Sequence, residues 1–231
     1  MKLFVKAILL TAMFLPYALY ADNAAGLTAI QAGNYPLALQ EFQEAANQGD
    51  AAAESNLGLM YARGLGVEEN GTKALALYQQ SAKKGYADAM INMGSLYTTG
   101  NKDVKKNAQL GIYWYEQAMK AGKKGEGAYN IGLIYCFGRG VEKNYTAAAK
   151  YFNIGAKNGY LLSMEMLGYL YLNGQGLSTN YQQAYNYFYK AKMLGDKDAE
   201  QGLAQLYAKL TPQQIQQLQA GTFKMSEITS S

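Results

Sequence analysis

The sequence predicts an all-α solenoid, a stack of two-helix repeats, because three features recur at one spacing. The first is a hydrophobic residue followed by glycine and, three positions later, by tyrosine. The others are a glycine behind each predicted second helix and an asparagine in front of it. Successive glycines of the first pattern are 36, 38 and 36 residues apart, a period typical of stacked helical repeats. The copies are Leu57-Gly58…Tyr61, Met93-Gly94…Tyr97, Ile131-Gly132…Tyr135, Leu167-Gly168…Tyr171 and, with alanine in place of glycine, Leu203-Ala204…Tyr207.

Each unit divides into two helices, as residues 51–86 illustrate. Small and apolar residues recur every three or four positions from Ala53 to Tyr61 and again from Ala74 to Ala82. This is the period of a helix with one buried face. Gly64 and Gly85 then end the two helices, because glycine adopts the left-handed conformation of a helix C-terminus. The glycines behind the second helices are Gly49, Gly85, Gly122, Gly159 and Gly195.

Two further sets of residues are expected to be structural. Asparagine at a helix N-cap accepts a hydrogen bond from a free backbone N–H of the first turn. Glycine inside a helix costs about 1 kcal/mol relative to alanine, so we expect it where a neighbouring helix approaches closely. The predicted caps are Asn34, Asn70, Asn107, Asn144 and Asn180, and the predicted packing glycines are Gly58, Gly94, Gly132 and Gly168.

The repeat register predicts one solenoid domain over residues 22–221, with a flexible tail at 222–231. Two one-residue insertions interrupt the register, one within Thr99–Val104 and one within Lys123–Glu126. Pro212 after Thr211 predicts a last helix that caps the open end. The predicted units are four full repeats, 51–86, 87–124, 125–160 and 161–196, and two half units, 26–50 and 197–221.

Residues 1–21 have the composition of a signal peptide. Lys2 and Lys6 precede the apolar run Ala7–Leu15, and Ala21 lies at the expected cleavage point. We expect export to the periplasm or beyond the cell, by a Gram-negative bacterium. An uncleaved membrane anchor is the alternative, but the run is short for a membrane span. After removal of this segment, we expect no stable membrane span.

Composition limits the possible partners and chemistry. The formal net charge of the whole chain is +4, and no block of like charges stands out, so nucleic acid is not an expected partner. The chain has one cysteine, Cys136, and therefore no internal disulfide. Cys136 is either a small buried hydrophobic residue or a free thiol for a partner. No cofactor and no metal site are expected.

The repeat resembles the Sel-one-like repeat, a relative of the tetratricopeptide repeat. The resemblance rests on Ala-x-x-x-Leu-Gly-x-x-Tyr-x-x-Gly-x-Gly-Val, a helix cap, and then Lys-Ala-x-x-Tyr-x-x-x-Ala-x-x-Gly. The best copies run from Ala53 to Gly85 and from Ala128 to Gly159, and the resemblance covers about residues 26–210. It implies a right-handed α/α solenoid with its first helices on the concave side.

The resemblance also implies a range of functions. Exported bacterial members are mostly adaptors in envelope or secretion-system assemblies, and others are periplasmic immunity proteins that neutralise a toxin. A cysteine-rich branch is described as penicillin-binding with weak β-lactamase activity, and it has a disulfide in each repeat. The single cysteine of this chain separates it from that branch.

A partner is expected to bind positions of the first helices that differ between units. The stripe of such positions that would face the concave groove is apolar and aromatic in its middle. Tyrosine is favoured at binding hot spots, so we expect these residues to seat an extended peptide or a helix of a protein partner. The alternative is that they complete the core between repeats. The residues are Ile91, Tyr129, Leu133, Tyr169 and Leu172.

Catalytic chemistry finds little support in the residues present. The chain contains no histidine, which removes histidine-based triads, imidazole metal sites and the usual general base near neutral pH. The Gly-x-Gly loops follow helices rather than strands and lack a phosphate-binding lysine. We therefore expect a monomeric periplasmic adaptor and not an enzyme. An immunity protein is the alternative, and a β-lactamase-like enzyme is less favoured.

Overall fold

The computed structural model describes residues 23–227, and the predicted signal peptide lies outside them. Within this range the chain forms twelve α-helices, one short 3-10 helix and no strands, so the predicted all-α solenoid is confirmed. The helices are α1 Asn23–Gln31, α2 Tyr35–Asn47, α3 Ala51–Arg63, α4 Gly71–Lys83, α5 Ala87–Thr99, α6 Ala108–Lys120, α7 Lys124–Phe137, α8 Tyr145–Lys157, α9 Leu161–Asn173, α10 Tyr181–Met193, α11 Ala199–Tyr207 and α12 Pro212–Gln219, followed by the 3-10 helix Met225–Glu227.

The helices stack as consecutive pairs. Each first helix packs along the second helix of its own unit, and that second helix packs on the first helix of the next unit. First helices of consecutive units also contact each other, from α1 and α3 through α9 and α11. The odd-numbered helices from α1 to α11 therefore form a continuous layer, which we call the inner face.

Within each pair, a glycine of the first helix lies against an aromatic ring of the second. A Cβ atom added to Gly58 would lie 2.8 Å from Cε1 of Tyr78, and one added to Gly132 would lie 2.5 Å from Cε1 of Phe152. Distances this short leave no room for a methyl group. Gly94 against Tyr115 and Gly168 against Phe188 repeat the contact.

The N-terminal half unit is larger than the sequence analysis predicted. It contains two helices, α1 and α2, and Gly26 of α1 packs against the ring of Phe42 in the same way as the glycines of the full units. Gly26 stands 32 residues before Gly58, four short of the usual step, because the connection between α1 and α2, residues 32–34, is four residues shorter than the connection between α3 and α4, residues 64–70. The array therefore begins with a fifth glycine–aromatic pair.

The five asparagines begin the second helices. Each side-chain oxygen accepts a hydrogen bond from the backbone N–H three residues on, at 2.8 to 3.2 Å, which satisfies a donor that the helix leaves free. The donors are Leu37, Lys73, Leu110, Ala147 and Gln183.

Helix α4 accommodates the loop that contains the first insertion. In the regular loops, the second glycine packs on the first turn of the preceding second helix, as Gly140 does on Ala108. In the inserted loop, Asn101 fills the space above α4, and α4 begins with Gly71, where an added Cβ atom would collide with the Asn101 amide. The carboxylate of Asp103 also accepts a hydrogen bond from the N–H of Gly71 at 2.8 Å.

Phe223 and Met225, in the segment that the sequence analysis predicts to be a flexible tail, pack against the end of the array. The ring of Phe223 is only 8 % exposed and packs in a cluster with Leu206 and Leu218, beside Tyr181 of α10. The end of the chain thus covers α10, together with α12. Sequence periodicity could not predict this packing, because a single aromatic residue anchors the segment and no helical repeat of apolar residues marks it. Ala204 is exposed, since no second helix packs on α11 at that position.

The glycine–aromatic contact can be tested with Gly132→Ala. Overpacking costs about 1–3 kcal/mol, which outweighs the gain of about 1 kcal/mol in helix propensity. We expect a lower free energy of unfolding, measured in urea by circular dichroism. In a Phe152→Leu background the same change should cost less, because the ring that it meets is gone. An equal cost in both backgrounds would contradict the contact.

The docked tail can be tested with Phe223→Ala, and Lys224→Ala serves as the control because Lys224 is exposed. Loss of the buried ring should weaken the packing of α12 by at least about 1.4 kcal/mol, which corresponds to tenfold faster amide hydrogen exchange. Hydrogen exchange across Pro212–Gln219 measures the effect. Equal exchange rates in the two variants would show that the tail does not support α12.

Candidate functional site

One position of the inner face becomes more exposed from the N-terminal to the C-terminal end of the array. It is the position two residues before the hydrophobic residue of the repeated hydrophobic-glycine pattern. Ser55 and Ile91 are buried there, Tyr129 and Glu165 are half-buried, and Gln201 is exposed. At this position, side-chain surface is therefore open to a partner only on α7, α9 and α11.

Two residues of the predicted groove are buried and cannot offer surface to a partner. Ile91 is 8 % exposed in a cluster with Tyr115 and Ile134, and Leu172 is 2 % exposed in a cluster with Phe188. For these two residues, the prediction of a partner contact is corrected. The repeat register gave the correct helices but not the rotation that turns these side chains into the core.

The other three predicted residues are half-buried on the inner face. The ring of Tyr129 lies 5.2 Å from that of Tyr160 and 6.0 Å from that of Phe152. The ring of Tyr169 meets Phe188 edge to face at 4.9 Å. Leu133 packs partly against the same cluster as Tyr129. One side of each is held by the core, and the other remains open to solvent.

Phe137 extends this surface, and the sequence analysis missed it. Tyr129, Leu133 and Phe137 are spaced four residues apart on α7, so they lie along one side of the helix. Phe137 is 54 % exposed, whereas its neighbour Cys136 is buried. The available signal was the aromatic residue directly before the helix-ending Gly138, where the other units have polar residues. We call these three residues the α7 row.

The N-terminal part of the inner face is polar and internally hydrogen-bonded. The amide of Asn56 donates to Oδ1 of Asn23 at 2.6 Å, and the amide of Asn92 donates to Oγ of Ser55 at 3.1 Å. These bonds tie consecutive first helices together. At the equivalent place on α7, Asn130 donates to a carbonyl of its own helix, because Ile91 offers no acceptor.

Opposite charges act on the aromatic part of the face. Burial raises the pKa of the Tyr129 phenol, the Glu165 carboxylate raises it further, and the Arg139 guanidinium lowers it. Burial also raises the pKa of Glu165, and the nearby carboxylates of Asp196 and Asp198 add to this effect. Tyr129 therefore lies between an acidic end of the face, at α9 and α11, and a basic end, at the loop after α7.

Cys136 has the environment of a core residue. It is buried, and burial raises the pKa of its thiol, an effect that the charges of Lys143 and Arg139 partly offset. Its thiolate fraction at neutral pH is therefore small, and this makes it a poor nucleophile. Of the two roles considered for it, the geometry fits the small buried hydrophobic residue.

Neither a metal site nor a membrane-spanning helix is found between residues 23 and 227. No three cysteine, aspartate or glutamate side chains in this range converge closely enough to hold a metal ion. None of the helices there is both long and apolar enough to cross a bilayer. What the face offers a partner is half-exposed aromatic surface with charged ends.

The comparisons with known proteins agree with this architecture. The family model for the Sel1 repeat matches four segments of the chain, residues 51–86, 87–123, 125–160 and 161–196. The second match ends at 123, one residue before the predicted unit. Among curated proteins, no sequence matches the chain significantly.

Solved structures resemble the chain over most of its length. A Sel1 repeat protein from Oxalobacter formigenes is 30% identical with a TM-score of 0.68, and the match covers 80% of this chain and 77% of that one. A Sel1 repeat protein from Klebsiella pneumoniae is 18% identical with a TM-score of 0.54, covering 80% and 91%. The Pseudomonas aeruginosa protein PA5086 is 22% identical with a TM-score of 0.51, covering 77% and 69%. The last two similarities show the fold alone.

The environment of Glu165 can be tested through the pH dependence of stability. A raised pKa in the folded protein means that folding disfavours the ionised carboxylate, so the penalty is present at alkaline pH and is lost as the pH falls through the folded pKa. Glu165→Gln should therefore stabilise the protein at about pH 8 and have little effect at about pH 4. Urea unfolding of variant and parent at both pH values measures this.

The exposed Glu142 provides the control, as Glu142→Gln. A stabilisation by Glu165→Gln that is the same at both pH values would contradict the electrostatic explanation. A Glu165→Gln variant that is no more stable than the parent at alkaline pH would contradict this explanation as well.

Proposed function

Because the chain belongs to the Sel1 repeat family, whose members mediate protein–protein interaction, we propose that it is a periplasmic adaptor that binds a segment of a partner protein on its inner face. The Sel1 repeat fold is typically a non-enzymatic interaction scaffold, and the absence of histidine accords with that use. The partner proposed is a component of an envelope or secretion-system assembly. The signal-like residues 1–21 are the reason for placing the protein in the periplasm. We propose that it acts there as a monomer.

One observation supports this function above the others. Tyr129, Leu133, Tyr169 and Phe137 stand at positions that differ from unit to unit, and all keep exposed apolar surface on the same face. The repeating positions form the core. Stacking of the units therefore does not explain why these four side chains keep exposed apolar surface. Tyrosine and phenylalanine held on one side by packing lose little conformational entropy when a partner covers the other.

Proximity labelling in the periplasm, followed by binding measurements with the purified partner, tests the proposal. Tyr129→Ala with Tyr169→Ala should weaken binding by at least about 30-fold, since hot-spot residues contribute about 2 kcal/mol or more. Phe137→Ala, at a far more exposed position, should weaken it severalfold without disturbing the core. Isothermal titration calorimetry gives the affinities, and circular dichroism verifies that each variant is folded.

The matched control is Tyr113→Ala with Tyr189→Ala, since both tyrosines are exposed on second helices, away from the inner face. This variant should bind within about twofold of the parent. Unchanged binding by folded Tyr129→Ala/Tyr169→Ala and Phe137→Ala variants would exclude the inner face as the binding site. A partner that is a secreted toxic enzyme would establish the immunity function in place of the adaptor.

A further inference from the structure

A cleft with two unpaired cations adjoins the α7 row. The cleft has a volume of about 690 Å³ and lies where α5, the start of α6 and the loop after α7 meet. Lys106 and Arg139 supply its charge, and Thr98 and Thr99 line its wall. Arg139 also lies beside Phe137, with its guanidinium carbon 5.2 Å from the ring centre. The cleft is therefore continuous with the exposed end of the α7 row.

The two cations are placed there by the backbone. Gly140 packs on Ala108, where an added Cβ atom would lie 3.0 Å from the alanine Cβ, so the loop that contains Arg139 is pressed against the first turn of α6. The stem of Lys106 lies over Gly100, which has a φ of 66° and no side chain to displace it. Both contacts hold a positive charge at the mouth of the cleft.

No acidic group of the inserted loop neutralises these charges. Asp103, the only acid between α5 and α6, accepts a hydrogen bond from the N–H of Gly71 on the far side of the loop. Lys102 pairs with Glu68 at 2.9 Å, but none of the ion pairs formed within residues 23–227 includes Lys106 or Arg139. The junction therefore retains two unpaired positive charges.

This pair of cations is not a feature of the repeat. At each junction, the loop before a second helix meets the loop after the next first helix. The residues equivalent to Lys106 and Arg139 are Gly33 and Leu65 at the first junction, and Lys143 and Gln175 at the last. At the second junction, the equivalent residues are Glu69 and Asn101. Only the junction beneath the α7 row brings two basic residues together, so stacking of the units does not explain them.

We propose that the partner segment is acidic, with its apolar side chains on the α7 row and a carboxylate between Lys106 and Arg139. This inference rests on the proposed function, because it identifies the chemistry of the segment bound there. Arginine and lysine hold carboxylates by charge-assisted hydrogen bonds, and the first-turn N–H groups of Ala108 and Gln109 are further donors at the cleft. The acidic group at Glu165, Asp196 and Asp198 repels a second carboxylate at the opposite end, which fixes the direction of the segment.

Selection of a phage-displayed dodecapeptide library on the intact protein tests this proposal even while the natural partner is unidentified. We expect the selected peptides to have aspartate or glutamate on one side of a cluster of apolar residues. A labelled copy of the best peptide, followed by fluorescence anisotropy, should bind at least tenfold more weakly to Lys106→Glu/Arg139→Glu. Replacement of its acidic residues by amides should cause a similar loss, and added salt should weaken binding to the parent protein.

Lys150→Glu with Lys157→Glu is the matched control, because both lysines are exposed on α8, away from the cleft. It makes the same change in net charge and should bind the peptide within twofold of the parent. Equal losses in the two double variants would mean that net charge alone attracts the peptide, and this would overturn the proposal.

The remaining outcomes separate this inference from the proposed function. Neutral or basic peptides that depend on Tyr129 and Tyr169 but not on Lys106 and Arg139 would overturn the acidic segment and leave the adaptor function standing. Failure to select any peptide that depends on the two tyrosines would overturn both. Binding of vesicles of anionic phosphatidylglycerol that requires Lys106 and Arg139, without selection of acidic peptides, would assign the cleft to a membrane surface instead.

Discussion

The contact between a glycine and an aromatic ring is the constraint on which the solenoid depends. Without a Cβ atom, the first helix lets the ring of the second lie directly on its backbone, as Phe152 lies on Gly132. A contact between units also depends on glycine. Gly155 of α8 lies against Ser163 of α9, where an added Cβ atom would collide with the serine Oγ. Close packing of this kind tolerates few changes in side-chain volume.

This constraint also decides where binding can occur. Residues that repeat are committed to the core, and the inner face closes further wherever neighbouring first helices pack tightly. Ile91 and Tyr129 occupy the same position in successive units, but the isoleucine fits beneath its neighbours and the tyrosine does not. At this position, surface for a partner therefore appears where the side chain is too large for the space that the repeat provides. The result is a face that is polar and internally bonded at one end and aromatic at the other.

Charges complete the asymmetry of the face. In the inserted loop after α5, Asp103 accepts a hydrogen bond from the N–H of Gly71 in α4, and Asn101 accepts from two N–H groups of the loop itself. Lys106 is left beside Arg139 at the end of the α7 row. Glu165 lies at the other end in an environment that disfavours its charge. A one-residue insertion, which at the level of sequence only disturbs the period, thus lies beside the two cations of the proposed binding site.

The sequence by itself determined the fold class, the four full repeats and the caps of the second helices, because each depends on local rules of period, capping and backbone freedom that act within one unit. Tertiary structure alone decided which faces of the first helices remain open. The rotation of each helix depends on its neighbours in other units, which buried Ile91 and Leu172 and exposed Phe137. The same applies to the cleft, whose cations are more than 30 residues apart and meet only because Gly140 packs on Ala108. The docked tail is a third case, since Phe223 finds its cluster only after α10, α11 and α12 have assembled.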